Sequence, residues 1–177
     1  SSAASDVYKR QQLRYFNQPH FENGSLKLIS QVLKEHGISK PLICTDPGLV
    51  KIGMTDKIRN LISNELSPTF YTETPANPTE QAVNDALEMY KQNDCDGVVG
   101  FGGGSSMDLA KTVALMANHE GNVVDYSVNE CGTGKITETV PTIAIPTTSG
   151  TGSEVSLGAV IIMNCLLYTS PSPRDLA

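Results

Sequence analysis

No apolar run in this 177-residue chain approaches the roughly 18 residues that span a bilayer, and no signal-peptide pattern is visible. Basic clusters are missing too. With a formal net charge of −6, a nucleic-acid or anionic-membrane surface is disfavoured. The four cysteines, Cys44, Cys95, Cys131 and Cys165, lie far apart and form no Cys-x-x-Cys pair, which argues against a disulfide framework or a zinc site. Cys44 sits in an apolar run and reads as a small buried hydrophobe. His20, His36 and His119 offer no i, i+3 or i+4 pair, so they form no metal-ligand cluster. His36 reads as a helix-end cation and the other two as surface residues. These absences leave an acidic, cytoplasmic protein directed at a small molecule, with no nucleic-acid or membrane partner.

What is present begins with Gly102-Gly103-Gly104-Ser105-Ser106-Met107-Asp108-Leu109-Ala110-Lys111. The run Gly97 to Phe101 before it predicts a buried strand, and Met107, Leu109, Ala110, Val113, Ala114 and Leu115 predict a helix after it. Ser105 with Asp108 three residues on suggests a capping box, with Asp in place of Glu. Glycines at a helix start let a pyrophosphate approach unpaired, partially positive N–H groups without meeting a Cβ. A tight strand-to-helix turn that binds nothing would use the same residues.

A second stretch adds to the first. Thr142 to Pro146 predicts another buried strand, followed by five hydroxyl side chains and two glycines between Thr147 and Ser153. Such a loop offers donors to phosphate and ribose oxygens; the plain alternative is a solvated Ser/Thr/Gly linker. Leu157 to Met163 then reads as core.

Helices are expected from about Ser25 to His36, with Gly37 as the stop, and from about Val50 to Asn64. Pro41 to Thr45 and Thr69 to Thr72 are expected strands. A further helix opens at Asn77-Pro78-Thr79-Glu80, with Asn77 as N-cap, and runs to about Asn93. The polar region from Glu120 to Thr139 is expected to be a loop with at most a short helix. Alternation of this kind predicts an α/β fold, a mostly parallel Rossmann-like sheet with helices on both faces. The usual dinucleotide fingerprint would seek an acidic residue about 20 positions after the glycines, near Asp125. Asp125 has no strand ahead of it, whereas Asp46 ends one. A carboxylate at a strand's C-terminal edge can bind ribose hydroxyls and repel a 2′-phosphate, though Asp46 before Pro47-Gly48 could also be a turn residue.

Gly102 to Lys111 and Ile145 to Val155 together resemble the two signatures of the iron-containing alcohol dehydrogenase family, close to GGGS-x-x-D-x-AK and PTT-x-GTGSEV. The likeness extends upstream through Pro41 to Leu49 and Asn77-Pro78-Thr79, and covers about residues 14 to 163. It implies a dehydroquinate synthase-like N-terminal domain that binds NAD in preference to NADP, with Asp46 at the adenosine ribose. It further implies pyrophosphate on Gly103, Gly104 and Ser105, Asp108 near the nicotinamide ribose, and contacts from Thr147 and Thr148. Thr151, Ser153 and Leu157 would lie nearby and Asn77 on the cofactor side. Lys111 matches the family lysine, although a solvated helix lysine would look the same. Asp108 and Asn77 each have an adequate explanation as helix caps.

The family's divalent metal, commonly iron, is held by one Asp and three His of a helical C-terminal domain that this sequence does not contain. The resemblance therefore implies the cofactor half of an enzyme that moves hydride between a nicotinamide and a small alcohol or aldehyde, homo-oligomeric when full length. The chain by itself is expected to be inactive. A same-fold polyol or glycerol dehydrogenase or maleylacetate reductase, or a nucleotide-binding module without catalysis, are the other readings.

The ends stand apart from that likeness. Asp6 to Gln11 can be encoded by GAT GTG TAT AAG AGA CAG, and Cys165 to Ser170 by TGT CTC TTA TAC ACA TCT. These strings are reverse complements over most of their length, as an inverted sequencing-library adapter read through in frame would be. Residues 1–11 and 165–177 are therefore set aside as non-native tails, leaving residues 12–164 as one domain large enough to bury a core.

Overall fold

A computed structural model describes residues 18–128, 130 and 132–163, so both tails lie outside the described residues. Four strands, β1 (Pro41–Cys44), β2 (Thr69–Tyr71), β3 (Gly97–Gly102) and β4 (Thr142–Pro146), form one sheet in the order β2-β1-β3-β4. Every pairing is parallel. Parallel neighbours need crossover connections, and these are helical: α1 (Ile29–Glu35) precedes β1, α2 (Pro47–Lys51) and α3 (Met54–Leu61) join β1 to β2, α4 (Glu80–Gln92) joins β2 to β3, and α5 (Gly104–Ala117) follows β3.

The sheet is covered on both faces. Leu42, Cys44 and Val98 pack with Val83, Ala86, Leu109 and Val113 from α4 and α5. Ile43, Val99 and Phe101, the alternating set, pack with Ile29, Leu33 and Ile58 from α1 and α3. The period of two along β1 and β3 sends neighbouring side chains to opposite layers. Both strands are buried along their whole length.

Local chemistry explains the helix ends. Gly37 at φ 70° closes α1 as expected. The Ile38 N–H donates to the Leu33 carbonyl at 2.8 Å and that of Gly37 to Lys34 at 3.0 Å, a Schellman closure that leaves Ile38 and Leu33 buried together. The helix expected from Val50 to Asn64 is instead two, because Gly53 at φ 76° interrupts it. α4 is capped by Thr79, whose Oγ1 accepts from the Ala82 N–H at 3.2 Å, so Asn77 lies before the helix and is not its cap.

Two expectations about burial are corrected. Among the described residues β4 pairs with β3 alone, and Ile143 and Ile145 are half-buried while Thr142, Ala144 and Pro146 are exposed. An apolar run of this length reads alike in a central and an edge strand; only pairing distinguishes them. The segment after it alternates as well: Ile161 and Met163 pack inward, whereas Leu157 is 80 % and Val160 76 % exposed. Backbone bonds tie this segment to the start of α4, from Ile162 N to Pro78 O and from Glu80 N to Ile162 O.

The polar stretch after α5 contains two short 3₁₀ turns, Val123–Tyr126 and Gly132–Lys135. Asp125 caps the first, its Oδ2 accepting the Asn122 N–H at 2.8 Å, which accounts for this carboxylate locally. His119, expected at the surface, is half-buried. Its Nδ1 lies 2.7 Å from the Leu115 carbonyl, its Nε2 accepts from the Thr137 N–H at 3.0 Å, and its ring meets Tyr126 edge-on.

Candidate functional site

Strand order places the site. From β1 the chain moves outward to β2, then crosses back to β3 on the other side, so the topology switches direction between β1 and β3. In open parallel sheets a crevice forms at such a point, outside the carboxyl ends of the strands. Here a cleft is lined by Asp46 and Pro47 after β1, by Thr74, Pro75 and Ala76 after β2, and by Gly103, Ser105 and Ser106 after β3.

The glycines of the β3–α5 turn do different work. A Cβ on Gly100 would sit 2.8 Å from the Met107 Cα, so its absence lets α5 lie directly on β3. A Cβ on Gly102 would collide with the Ser106 side chain and come within 3.2 Å of Asp46 Oδ2. Gly103 and Gly104 face the loop after β4: Cβ atoms there would come into ordinary contact with it, nearest to Thr148 Oγ1 at 3.4 Å and Thr151 Cβ at 3.5 Å. Close helix packing, which the last glycine of G-x-G-x-x-G normally permits, is supplied here from the strand side by Gly100.

Gly103, in extended conformation, is the N-cap of α5 and provides no side chain. The first-turn N–H groups of this helix lack intrahelical acceptors and border the cleft. The expected capping box is absent because both its members are engaged elsewhere. Ser105 Oγ donates to the Ala76 carbonyl, bridging the turn to the β2–α4 connection. Asp108 Oδ1 accepts from Ser153 Oγ at 2.5 Å and Oδ2 from the Val160 N–H at 3.0 Å.

Lys111 completes this second arrangement and is not a solvated lysine. Its Nζ lies 2.9 Å from Asp108 Oδ1 and donates to the carbonyls of Ser153, Ser156 and Gly158, at 3.1, 3.3 and 2.5 Å. The two charged side chains are only 19 % and 15 % exposed. Together they clamp the loop after β4 onto α5. A further bond, from the Thr147 N–H to the Gly102 carbonyl at 2.9 Å, ties the start of that loop to the glycine turn.

Asp46 divides its oxygens. Oδ1 accepts the Leu49 N–H at 3.1 Å and caps α2, while Oδ2 faces Gly102 across the crevice. Cys44, two residues earlier, is fully buried, and desolvation pushes its thiol far above the ordinary range, so it offers no nucleophile. Of the expected site residues, then, Asp46, Gly103 and Ser105 line the cleft, and Gly104, Thr148 and Thr151 face each other across the turn. Asn77 is exposed beside Ala76. Thr147 is linked through its backbone, Ser153 and Asp108 belong to the clamp, and Leu157 projects into solvent. Ser106, inside the glycine motif, lines the cleft too, as do Thr74, Pro75 and Ala76, which neither motif nor charge marks. Among the described residues no three His, Cys, Asp or Glu side chains converge as metal ligands, and no helix is long and apolar enough to cross a membrane.

The model of the family "Iron-containing alcohol dehydrogenase" matches residues 17–165. The chain belongs to that family. Among curated family relatives it is 42 % identical over 151 residues to 4-hydroxybutyrate dehydrogenase of Cupriavidus necator, covering 85 % of this chain and 39 % of that one. To the NAD-dependent methanol dehydrogenase of Bacillus methanolicus it is 35 % identical, over 78 % of this chain and 36 % of the other. Among solved structures, sulfoacetaldehyde reductase from Bifidobacterium kashiwanohense in complex with NAD+ superposes with a TM-score of 0.69 at 26 % identity, over 81 % of this chain and 43 % of that one. A 1,3-propanediol oxidoreductase superposes at 0.70 with 27 % identity, over 81 % and 42 %. The chain thus spans about two fifths of the length of these relatives.

Proposed function

We propose that this chain is the NAD-binding portion of a metal-dependent alcohol dehydrogenase that interconverts small alcohols and aldehydes. The observation that carries the reading is the opposition, across the β1/β3 crevice, of a carboxylate at one strand end and a glycine turn heading a 14-residue helix at the other. A dinucleotide needs those two chemistries at that separation of roles. The N–H groups at Gly104 and Ser105 hold pyrophosphate, to which Gly103 and Gly104 present backbone with no side chain of their own. Asp46 Oδ2 accepts from the adenosine ribose hydroxyls and repels a 2′-phosphate.

Thr148 and Thr151 close the turn from the opposite side, so the second loop forms a wall whose position depends on the Asp108–Lys111 clamp. Asn77 follows Ala76, which lines the cleft. Bound here, the dinucleotide would supply hydride chemistry through its nicotinamide, and a divalent metal, iron by family, would supply Lewis-acid polarisation of the alcohol oxygen in the full-length enzyme. The described residues fit the dinucleotide and offer no metal site. We assign the metal ligands to sequence beyond this chain, which by itself is inactive on alcohols. The exposed Leu157 and Val160 and the free edge of β4 would be covered by that sequence. The reading carries with it a cytoplasmic, homo-oligomeric full-length enzyme.

Titration of the chain with NAD and NADP tests the assignment. NAD should bind more tightly, Asp46→Gly should narrow the difference, and Gly103→Val should weaken NAD at least tenfold while leaving the thermal midpoint nearly unchanged. An unaltered NAD-to-NADP ratio in Asp46→Gly would reduce Asp46 to a helix cap. Undiminished NAD binding by folded Gly103→Val would remove the glycine turn from the site.

A further inference from the structure

We propose that Thr74 is a nucleoside-recognition residue whose side-chain hydroxyl donates to the adenosine half of the dinucleotide. The inference rests on the reading of the cleft as an NAD site and adds a residue to it. Among the described residues, two side-chain polar atoms are buried without a hydrogen-bond partner, Thr45 Oγ1 and Thr74 Oγ1. Thr45 is 0 % and Thr74 1 % exposed. Their backbones join in a short ladder: the Thr45 N–H donates to Tyr71 O at 2.9 Å, and the Thr74 N–H donates to Thr45 O at 3.2 Å.

An orphaned buried hydroxyl costs about 1–3 kcal/mol, and such groups are rare enough to require a reason. Valine has the same shape and would carry no such cost. The two threonines differ in one respect, since Thr74 lines the crevice and Thr45 does not. Thr74 shares its wall with Asp46, on the β1/β2 side of the glycine turn, away from the loop that follows β4. With pyrophosphate at the turn and ribose hydroxyls at Asp46, the group that reaches this wall is the adenosine. Its ring nitrogens and ribose oxygens are acceptors, and a threonine hydroxyl in a desolvated wall supplies the complementary donor.

The experiment compares Thr74→Val with Thr45→Val by thermal unfolding and by titration with NAD, adenosine 5′-monophosphate and nicotinamide mononucleotide. Both variants should melt higher than the parent chain. Only Thr74→Val should weaken NAD and adenosine monophosphate, by about five- to tenfold, with nicotinamide mononucleotide unaffected. Thr74→Ser keeps the hydroxyl and should retain adenosine monophosphate binding, which guards against a loss caused by misfolding. Parent-like adenosine monophosphate binding by Thr74→Val overturns the role of Thr74 and leaves the cleft reading intact, and equal weakening by both valine variants overturns it in favour of a structural effect. Failure of the parent chain to bind either adenosine ligand overturns the cleft reading and this inference together.

Discussion

The two glycine-bearing loops are built by different means. The β3–α5 turn lies at the centre of the sheet, with both flanking elements buried and glycines admitting backbone-to-backbone contact. The loop after β4 follows an edge strand, has little core of its own, and is fixed by Asp108, Lys111 and one backbone bond to Gly102. Packing holds the first loop and polar contacts hold the second. A site that needs both is therefore rigid on one wall and adjustable on the other, and local opening should begin at the polar wall.

The sharpest way to break the contrast uses a register pair. Gly100 and Ala144 are neighbours across β3 and β4, one buried and one exposed. Gly100→Val should destabilise by about 3 kcal/mol or more, because the side chain meets α5 backbone. Ala144→Val should stay within about 0.5 kcal/mol. Equal effects in urea unfolding would mean that β4 is as enclosed as β3.

Next in size is Lys111→Met. Removing one member of a largely buried pair leaves Asp108 without its cation, at a cost on the order of 3 kcal/mol. That cost should fall on the loop: amide exchange of residues 152–160 should accelerate while β3 amides stay protected. Uniform acceleration along β3 as well would show that the pair supports the whole fold and not one wall.

How much of this could be read from the chain follows the same division. The buried alternation of β1 and β3, the Gly37 stop and the glycine turn were legible, because each depends on neighbours in sequence. Asp125 has no strand ahead of it in the sequence, and in the structure it caps its own turn. What escaped was tertiary. Ser105 and Asp108 have capping-box spacing, yet both bond to segments 29 to 52 residues away. Lys111 looks like any helix lysine until the loop after β4 brings it three carbonyls. Thr142 to Pro146 reads as core because periodicity carries no record of how many strands flank it, and Thr74 carries no motif at all.

The smallest effect concerns alkaline pH. Burial raises the Cys44 thiol well above its ordinary value, and desolvation, followed by nearby acidic groups, pushes Tyr71 and Tyr90 up to about 12. The unfolded chain releases these protons from about pH 9–10 upward, whereas the folded chain retains them. Stability should therefore be unaffected by these groups below about pH 8 and fall as pH rises beyond 9. All three belong to the core layer shared by β1, β2 and α4, so Cys44→Ala should flatten the decline and changes in the β4 loop should not. An alkaline limb of the same slope in Cys44→Ala would contradict this assignment.

The most direct measurement is an amide chemical-shift titration of the ¹⁵N-labelled chain with NAD. Saturable shifts at Asp46, Gly103, Gly104, Ser105 and Thr148, with Leu157 unmoved, are the predicted result. Unshifted amides at those positions, or shifts instead along the groove that Leu26 and Lys27 form with Lys57 and Leu61 of α3, would contradict an NAD site in the β1/β3 cleft.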